Sequence, residues 1–314
     1  MVHQGDSPVL IFDAMNLFLR TYSANPTISH YGHHVGGVVG FLKSMRNIID
    51  KFSPSQVFIV WEGGGSQRRR AIYPEYKHGR KPKRMNKFFD QEIPDTIQSR
   101  NNQIAALISI LKDTPICQVY VGDCEADDVI GYLCKYKLRD KQKFIISSDQ
   151  DYYQLLNENT RIYRLGKKEI VEADDILGLT GVTASNYCVA KAAAGDSSDK
   201  GAGYKTMSKR FPFLQDEEEA DIKKIFDHAS ENVDKKIKVY KDIVDNFDIL
   251  ERNWKLTYLD SNNLAASQIL QIQNAVDTFE PRRDKIAMMR KLIHEGIQNF
   301  DVESLFLSFT YLDH

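Results

Sequence analysis

Residues 116–130 read Ile116-Cys117-Gln118-Val119-Tyr120-Val121-Gly122-Asp123-Cys124-Glu125-Ala126-Asp127-Asp128-Val129-Ile130. An apolar, β-branched run stops at a glycine and acids follow at once. A helical pattern then begins, with Ala126, Val129, Ile130 and Leu133 on one face. The same order recurs on both sides of this stretch. Val9-Leu10-Ile11-Phe12 ends in Asp13, and Phe58-Ile59-Val60-Trp61 ends in Glu62. Phe144-Ile145-Ile146 runs into Ser147-Ser148-Asp149-Gln150-Asp151. Short buried strands (Val9–Phe12, Val57–Trp61, Ile116–Val121, Phe144–Ile146) that alternate with helices predict right-handed crossovers and an α/β, mostly parallel sheet flanked by helices.

The helices come from three-to-four spacing of Val38, Phe41, Leu42, Met45, Ile48 and Ile49, and of Ile104, Leu107, Ile108 and Leu111. Arg161–Leu165 and Glu169–Val171, around Gly166-Lys167-Lys168, read as a terminal hairpin. Beyond about residue 180 the strand signal fades into helical patterns, including Ile269–Phe279 and Arg283–Ile297. The expected division is therefore an α/β domain over 1–180 and a helical region over 181–314. Asp216 to Glu219 reads as a solvated helix start, and His30, His33 and His34 as a loop without metal-ligand spacing.

In a parallel sheet all the strand ends named above lie on one edge, where α/β folds place their sites. Each acid has an ordinary structural reading, because helix starts favour acids and Asp13, Asp149 or Asp151 suit caps and turns. Together they do not. Asp13, Glu62, Glu125, Asp127, Asp128, Asp149 and Asp151 on one rim repel one another unless cations offset them. Oxygen-only donors select hard cations, Mg²⁺ or Mn²⁺, of the kind that hold phosphates. On an ideal helix Glu125 and Asp128 are about 60° apart, so both are expected to face one ion, with Asp127 on the other flank.

The bases are segregated as well. The chain has 42 Lys+Arg against 43 Asp+Glu, a net charge of -1 that by itself argues against a polyanionic partner. Yet Arg68, Arg69, Arg70, Lys77, Arg80, Lys81, Lys83, Arg84 and Lys87 fall within 66–87, where Glu75 is the only acid. With Tyr73, Tyr76, Phe88 and Phe89 interleaved, that segment suits phosphate tracking and stacking on a single strand. Gly63-Gly64-Gly65 permits a sharp exit from its strand but no Gly-Lys-Ser/Thr follows, so it is no Walker loop. Farther on, Asp196 and Asp199 precede a Gly201-Ala202-Gly203 turn and a basic stretch with Lys205 and Lys209, a pattern that can hold a duplex phosphate.

Other classes are disfavoured. No run approaches the ~18 apolar residues of a membrane span, and the polar start Met1–Pro8 does not read as a signal peptide. Cys117, Cys124, Cys134 and Cys188 lack CxxC spacing, against zinc or a disulfide framework, so a reducing cytoplasm is expected. An aspartyl phosphotransferase using Asp13 wants a second Asp two residues on, where Met15 stands. A non-catalytic nucleic-acid-binding protein would have little need of so many carboxylates.

Five ordered pieces carry a family resemblance: Ile11-Phe12-Asp13-Ala14-Met15-Asn16-Leu17, Tyr73-Pro74-Glu75-Tyr76-Lys77, Gly122-x-x-Glu125-Ala126-Asp127-Asp128, Ser148-Asp149-Gln150-Asp151 and Gly195-Asp196-Ser197-Ser198-Asp199. The sequence resembles the metal-dependent 5′-3′ exonuclease and flap endonuclease family, which includes the nuclease domain of bacterial DNA polymerase I and phage 5′-nucleases, among them phage ribonuclease H. The resemblance covers residues 9 to about 210. It implies a PIN-like domain, a helix–hairpin–helix-type element after it, and a two-metal phosphodiesterase acting near 5′ ends of DNA or RNA–DNA hybrids. It also implies that Asp13, Glu62, Glu125, Asp127, Asp128, Asp149, Asp151, Asp196 and Asp199 form the metal cluster. Tyr76, Lys77 and Arg80 then stand beside the scissile phosphate, Lys77 and Arg80 as catalytic groups. Arg68, Arg69, Arg70, Lys81, Lys83, Arg84, Gly201, Gly203, Lys205 and Lys209 would contact nucleic acid. The expected protein is a monomer; a single-strand-binding protein or clamp is a partner by family only. Two departures stand out. Glu62 replaces the usual Asp, and the turn after Asp199 lacks the family's Asn-Ile-Pro-Gly-Val stretch.

Overall fold

The computed structural model describes residues 7–78, 93, 96–195 and 207–312. The chain runs β1 (Val9–Asp13), α1 (Ala14–Ala24), α2 (Gly36–Phe52), β2 (Gln56–Trp61), α3 (Gln67–Ile72), α4 (Ile97–Leu111), β3 (Cys117–Tyr120) and α5 (Ala126–Tyr132). It continues with β4 (Lys143–Ile146), a 3-10 turn (Gln150–Leu155), β5 (Thr160–Arg164), β6 (Glu169–Val171), α6 (Ala173–Thr180) and α7 (Tyr187–Ala194). Then come α8 (Met207–Arg210), α9 (Ile222–Glu231), α10 (Lys238–Asp245), α11 (Phe247–Thr257), α12 (Ala266–Asp277), α13 (Lys285–His294) and α14 (Val302–Ser308).

The sheet order is β3-β2-β1-β4-β5-β6. Strands β1 to β5 are parallel, and β6 closes the edge antiparallel to β5 as the hairpin predicted. From β1 the chain builds outward through β2 to β3, then crosses back to place β4 on the other side of β1. That reversal makes the carboxyl ends of β1 and β4 the crevice where such sheets bind ligands. The register sets Asp13 opposite Val60 and Phe12 opposite Ile146, so Ser147 emerges beside Asp13 and Glu62 two residues farther along the same edge.

Alternation along the strands splits the core in two. Val9, Ile11, Phe58, Val60, Val119 and Ile145 face one side, with α5 and residues of α7, α9, α10, α11 and α12. Leu10, Phe12, Val57, Ile59, Trp61 and Ile146 face the other, with α1, α2, α4, α13 and α14. Helices from beyond residue 180 therefore cover both faces, and full burial of side chains such as Phe12 contributes about 1.5–3 kcal/mol each.

Local chemistry sets the boundaries. Asp13 caps α1 by accepting from Asn16 N at 3.0 Å, Ser66 caps α3 and Thr96 caps α4. Gly63 has no room for a side chain: a Cβ there would lie 1.8 Å from Val121 O. Gly64 and Gly65 follow at φ 91° and 92°, which carries the chain off β2 as their sequence implied.

Two local expectations are corrected. Asp216–Glu219 is not a helix start: Asn186, fully buried, donates to the carbonyls of Asp216 and Glu218 and holds the run irregular, and Asp221 caps α9 instead. His34 is no loose loop residue. It is buried edge-on to Tyr22, with Nε2 2.7 Å from Asn25 O.

Candidate functional site

The strand ends bring Asp13, Glu62, Glu125, Asp127, Asp128, Asp149 and Asp151 to one rim, as the parallel sheet predicted. How each is held differs. Asp13, at the end of central β1, accepts from Ser147 Oγ at 3.1 Å and Tyr152 OH at 3.2 Å. Asp149 caps the following turn by accepting from Asp151 N at 3.0 Å. Glu62 accepts from Ala126 N at 3.3 Å, which ties the end of β2 to the start of α5. Asp127 accepts from Asp128 N at 2.9 Å.

Three cations of the protein reach these acids among the described residues. Arg69 is buried at 1% exposure. Its Nη1 and Nη2 grip Asp128 at 2.5 and 2.8 Å, its Nη1 lies 3.0 Å from Glu125 and its Nε donates to Leu256 O at 2.9 Å. Lys77 Nζ lies 2.8 Å from Glu125 Oε1, and Tyr76 OH donates to Glu125 Oε2 at 3.0 Å. Lys191, from α7, pairs with Asp151. Lys77 takes a left-handed backbone at φ 52°, a conformation that costs a non-glycine residue about 1–2 kcal/mol and clusters at functional sites.

Among the described residues seven carboxylates face three cations, and burial more than charge raises several of the acids. Burial first, then Asp127, pushes Asp128 up to about 7 against the pull of Arg69. Burial pushes Asp151 up to about 6 although Lys191 opposes it. Glu62 keeps much of its side chain in solvent, yet desolvation at the rim and then Glu125 and Asp127 push it up to about 7. Asp13 and Asp149 are raised as well, both chiefly by burial and further by Asp127.

Two site expectations are corrected. Arg69 belongs to the interior rather than to a nucleic-acid surface. Three consecutive arginines on α3 point about 100° apart, and here Arg69 turns inward while Arg70 faces solvent. Glu125 and Asp128 do not jointly face an open ion position, because Arg69 fills the space between them. Among the described residues, no three His, Cys, Asp or Glu side chains converge closely enough to enclose one ion.

The remaining nucleic-acid candidates fall in different places. Arg70 is exposed, Arg68 is partly buried with Nη1 3.3 Å from Lys255 O, Tyr76 is buried against Glu125, and Lys209 is exposed on α8. Arg80, Lys81, Lys83, Arg84, Asp196, Asp199, Gly201, Gly203 and Lys205 lie outside the described residues. Sequence reasoning missed Ser147, Tyr152, Lys191 and Gln154. Ser147 and Tyr152 flank the Asp149 turn and were within reach; Lys191 and the carbonyls of α11 carried no local signal.

A model of the 5′-3′ exonuclease N-terminal resolvase-like domain matches residues 8–181, more than half of the chain. The chain belongs to the 5′-3′ exonuclease family. Within this nuclease family it is 28% identical over 203 residues to a 5′-3′ exonuclease of Buchnera aphidicola subsp. Schizaphis graminum, covering 63% of this chain and 66% of that one. It is 29% identical over 193 residues to the flap endonuclease Xni of Shewanella loihica, covering 61% and 68%. The chain thus spans about two thirds of the length of these relatives. In fold, the exonuclease-family chain is similar to the bacteriophage T5 D15 flap endonuclease in complex with DNA and metal ions, with a TM-score of 0.61 at 16% identity, covering 96% of this chain and 98% of that one. The PIN-like architecture that the motifs implied is the one this exonuclease-family chain adopts.

Proposed function

We propose that the chain is a divalent-metal-dependent, structure-dependent 5′-nuclease that hydrolyses phosphodiesters near 5′ ends of DNA or RNA–DNA hybrids. The observation that carries this reading is the acidic rim: seven carboxyl side chains gathered at the strand ends, which three protein cations reach among the described residues. A donor set made of carboxylate oxygens and left short of positive charge fits a hard cation, Mg²⁺ with Mn²⁺ as a substitute. Asp13, Glu62, Asp127, Asp149 and Asp151 are the described residues that would contribute oxygens to such ions, fewer than three to any one ion as placed, and Asp196 and Asp199 join them by family resemblance. The T5 D15 relative was crystallised with DNA and metal ions.

Bound divalent ions supply Lewis acidity toward water and phosphate oxygen. The chain's own residues do the rest. Lys77, oriented by Glu125, offsets charge that develops on the phosphoryl group, and Arg80 is proposed for the same role. Arg70 and the basic segment guide the strand through phosphate contacts. Arg69 and Tyr76 keep Glu125 in place for Lys77.

The rival chemistries fit less well. Asp13 is engaged by Asn16, Ser147 and Tyr152 and faces no acid two residues on, against a phosphoryl-aspartate mechanism. The four cysteines are buried, with Cys117, Cys124 and Cys134 pushed up to about 12 by burial, so none is a ready nucleophile. The deciding assay uses 5′-labelled flap, nicked and RNA–DNA hybrid substrates in Mg²⁺ or EDTA, with wild type and Asp149→Asn. Cleavage is expected only with wild type in Mg²⁺. No cleavage there, or equal cleavage by the variant, overturns the reading; binding that survives EDTA without cleavage favours a non-catalytic binding protein.

A further inference from the structure

The last carbonyls of any helix have no partner within it. In α11 three of them are taken by side chains from elsewhere in the fold. Lys255 O accepts from Arg68 Nη1 at 3.3 Å, Leu256 O from Arg69 Nε at 2.9 Å and Thr257 O from Gln154 Nε2 at 3.1 Å. Gln154 does more than cap. Its Nε2 also donates to Asp151 O at 2.9 Å, and its Oε1 accepts from Leu259 N at 2.9 Å. One turn earlier, buried Asn253 donates from Nδ2 to Ala192 O at 3.1 Å, next to the Lys191 that pairs with Asp151.

These contacts connect both halves of the rim to one place. Helix α3 carries Arg69, which grips Glu125 and Asp128. The 3-10 turn carries Asp151 and is capped by Asp149. Helix α7 carries Lys191. All three are fastened to the carboxyl-terminal end of α11, whose negative dipole end also favours Arg68 and Arg69. Water could satisfy a frayed helix end as well as these groups do. An amide that bonds two elements with its N–H groups and a third site with its oxygen instead fixes their relative positions.

We infer that the end of α11 sets the spacing between the Glu125–Asp128 half and the Asp149–Asp151 half of the rim, with Gln154 and Asn253 as positioning residues. The inference deepens the proposed function, because it rests on the rim being a divalent-ion site. Gln154→Met keeps length and charge but releases the turn from α11. Asn253→Leu releases α7 at an independent point.

The test is a Mn²⁺ titration followed by electron paramagnetic resonance on wild type and both variants, with steady-state cleavage of a 5′-labelled flap substrate. Mn²⁺ affinity is expected to fall roughly 10- to 100-fold in Gln154→Met, as for groups that orient metal ligands, and by a smaller factor in Asn253→Leu. At sub-saturating Mn²⁺, kcat falls while KM stays within about twofold, and saturating Mn²⁺ restores most of kcat. Wild-type affinity in both variants overturns the inference. So does a loss of thermal stability and a rise in KM at unchanged Mn²⁺ affinity, the pattern of a merely structural role. Should one variant fail to fold, the other decides. If wild type binds Mn²⁺ but cuts nothing, the nuclease reading falls and the affinities still test the spacing; if wild type binds no Mn²⁺, both fall.

Discussion

The two halves of the acidic rim are made of the same residue types and are held in opposite ways. On one side, Glu125 and Asp128 are buried and saturated: Arg69, Lys77 and Tyr76 supply close partners to nearly every oxygen. On the other, Asp13 and Asp149 are held by neutral hydrogen bonds, and among the described residues Lys191 reaches Asp151. The first half is an internal salt-bridge network that builds the site. The second, with Glu62, meets fewer cations among the described residues, and Asp127 stands between the halves with its Oδ1 3.8 Å from Arg69 Nη1. Position in the fold, not residue type, separates the two roles.

The comparison breaks most visibly at Arg69. Arg69→Met leaves Glu125 and Asp128 buried without their main partner, and is expected to cost about 3–5 kcal/mol in urea unfolding monitored by circular dichroism. Wild-type stability in that variant would show that the saturated half is not structural. Asp149→Asn removes charge from the open half. It should cut Mg²⁺-dependent cleavage by at least roughly 100-fold, taking the loss for groups one step farther from the metal as a floor, while leaving the melting temperature in EDTA equal or higher. A fall in metal-free stability comparable to that of Arg69→Met would erase the distinction between the halves.

The pH dependence sharpens it further. Glu62 and Asp128 are raised to about 7 and Asp151 to about 6, above their ordinary values near 4. Groups with raised folded-state values bind protons more readily in the folded protein. Their contribution to stability is full below about pH 4 and lost as pH rises through 6–7. In EDTA, these groups should therefore lower the melting temperature between pH 5.5 and 8, and Mg²⁺ should raise it more at pH 8 than at 5.5. An equal Mg²⁺ shift at both values would mean that Glu62 and Asp151 are not among the groups that meet the ion.

Smaller effects are expected at single partners. Tyr76→Phe removes one of several hydrogen bonds to Glu125 and should cost about 0.5–1.5 kcal/mol in the same unfolding assay. Arg70→Ala, one residue from Arg69 but exposed, should leave stability within about 0.5 kcal/mol. It should reduce the salt dependence of substrate binding by about one phosphate contact, read as the slope of log affinity against log salt. A stability loss there of the size seen at Arg69 would argue that the two arginines share one role.

Much of this was legible along the chain. Continuous apolar, β-branched runs followed closely by acids gave the parallel strands, and the strand ends then placed seven acids on one edge. The hairpin at 161–171 and the glycine exit after Glu62 were readable from turn chemistry. The role of Arg69 was not, because its neighbours Arg68 and Arg70 look identical in sequence, and only the helix turn decides which of three arginines points inward. The Asp216–Glu219 run misled for a related reason: Asn186, thirty residues away, determines its backbone.

Among the described residues no helix is long and apolar enough to cross a membrane, in keeping with the hydropathy of the sequence. What the sequence by itself determined was the alternation of strands and helices, the acids at strand ends, the basic segment beside them and the family motifs, all carried by local spacing. Tertiary structure alone decided which acids are neutralised from within and which are left short of charge. It also decided that the end of α11 holds both halves of the rim. Those outcomes depend on contacts between residues from 40 to 187 positions apart, such as Lys191 with Asp151 and Arg69 with Leu256, which no local spacing encodes.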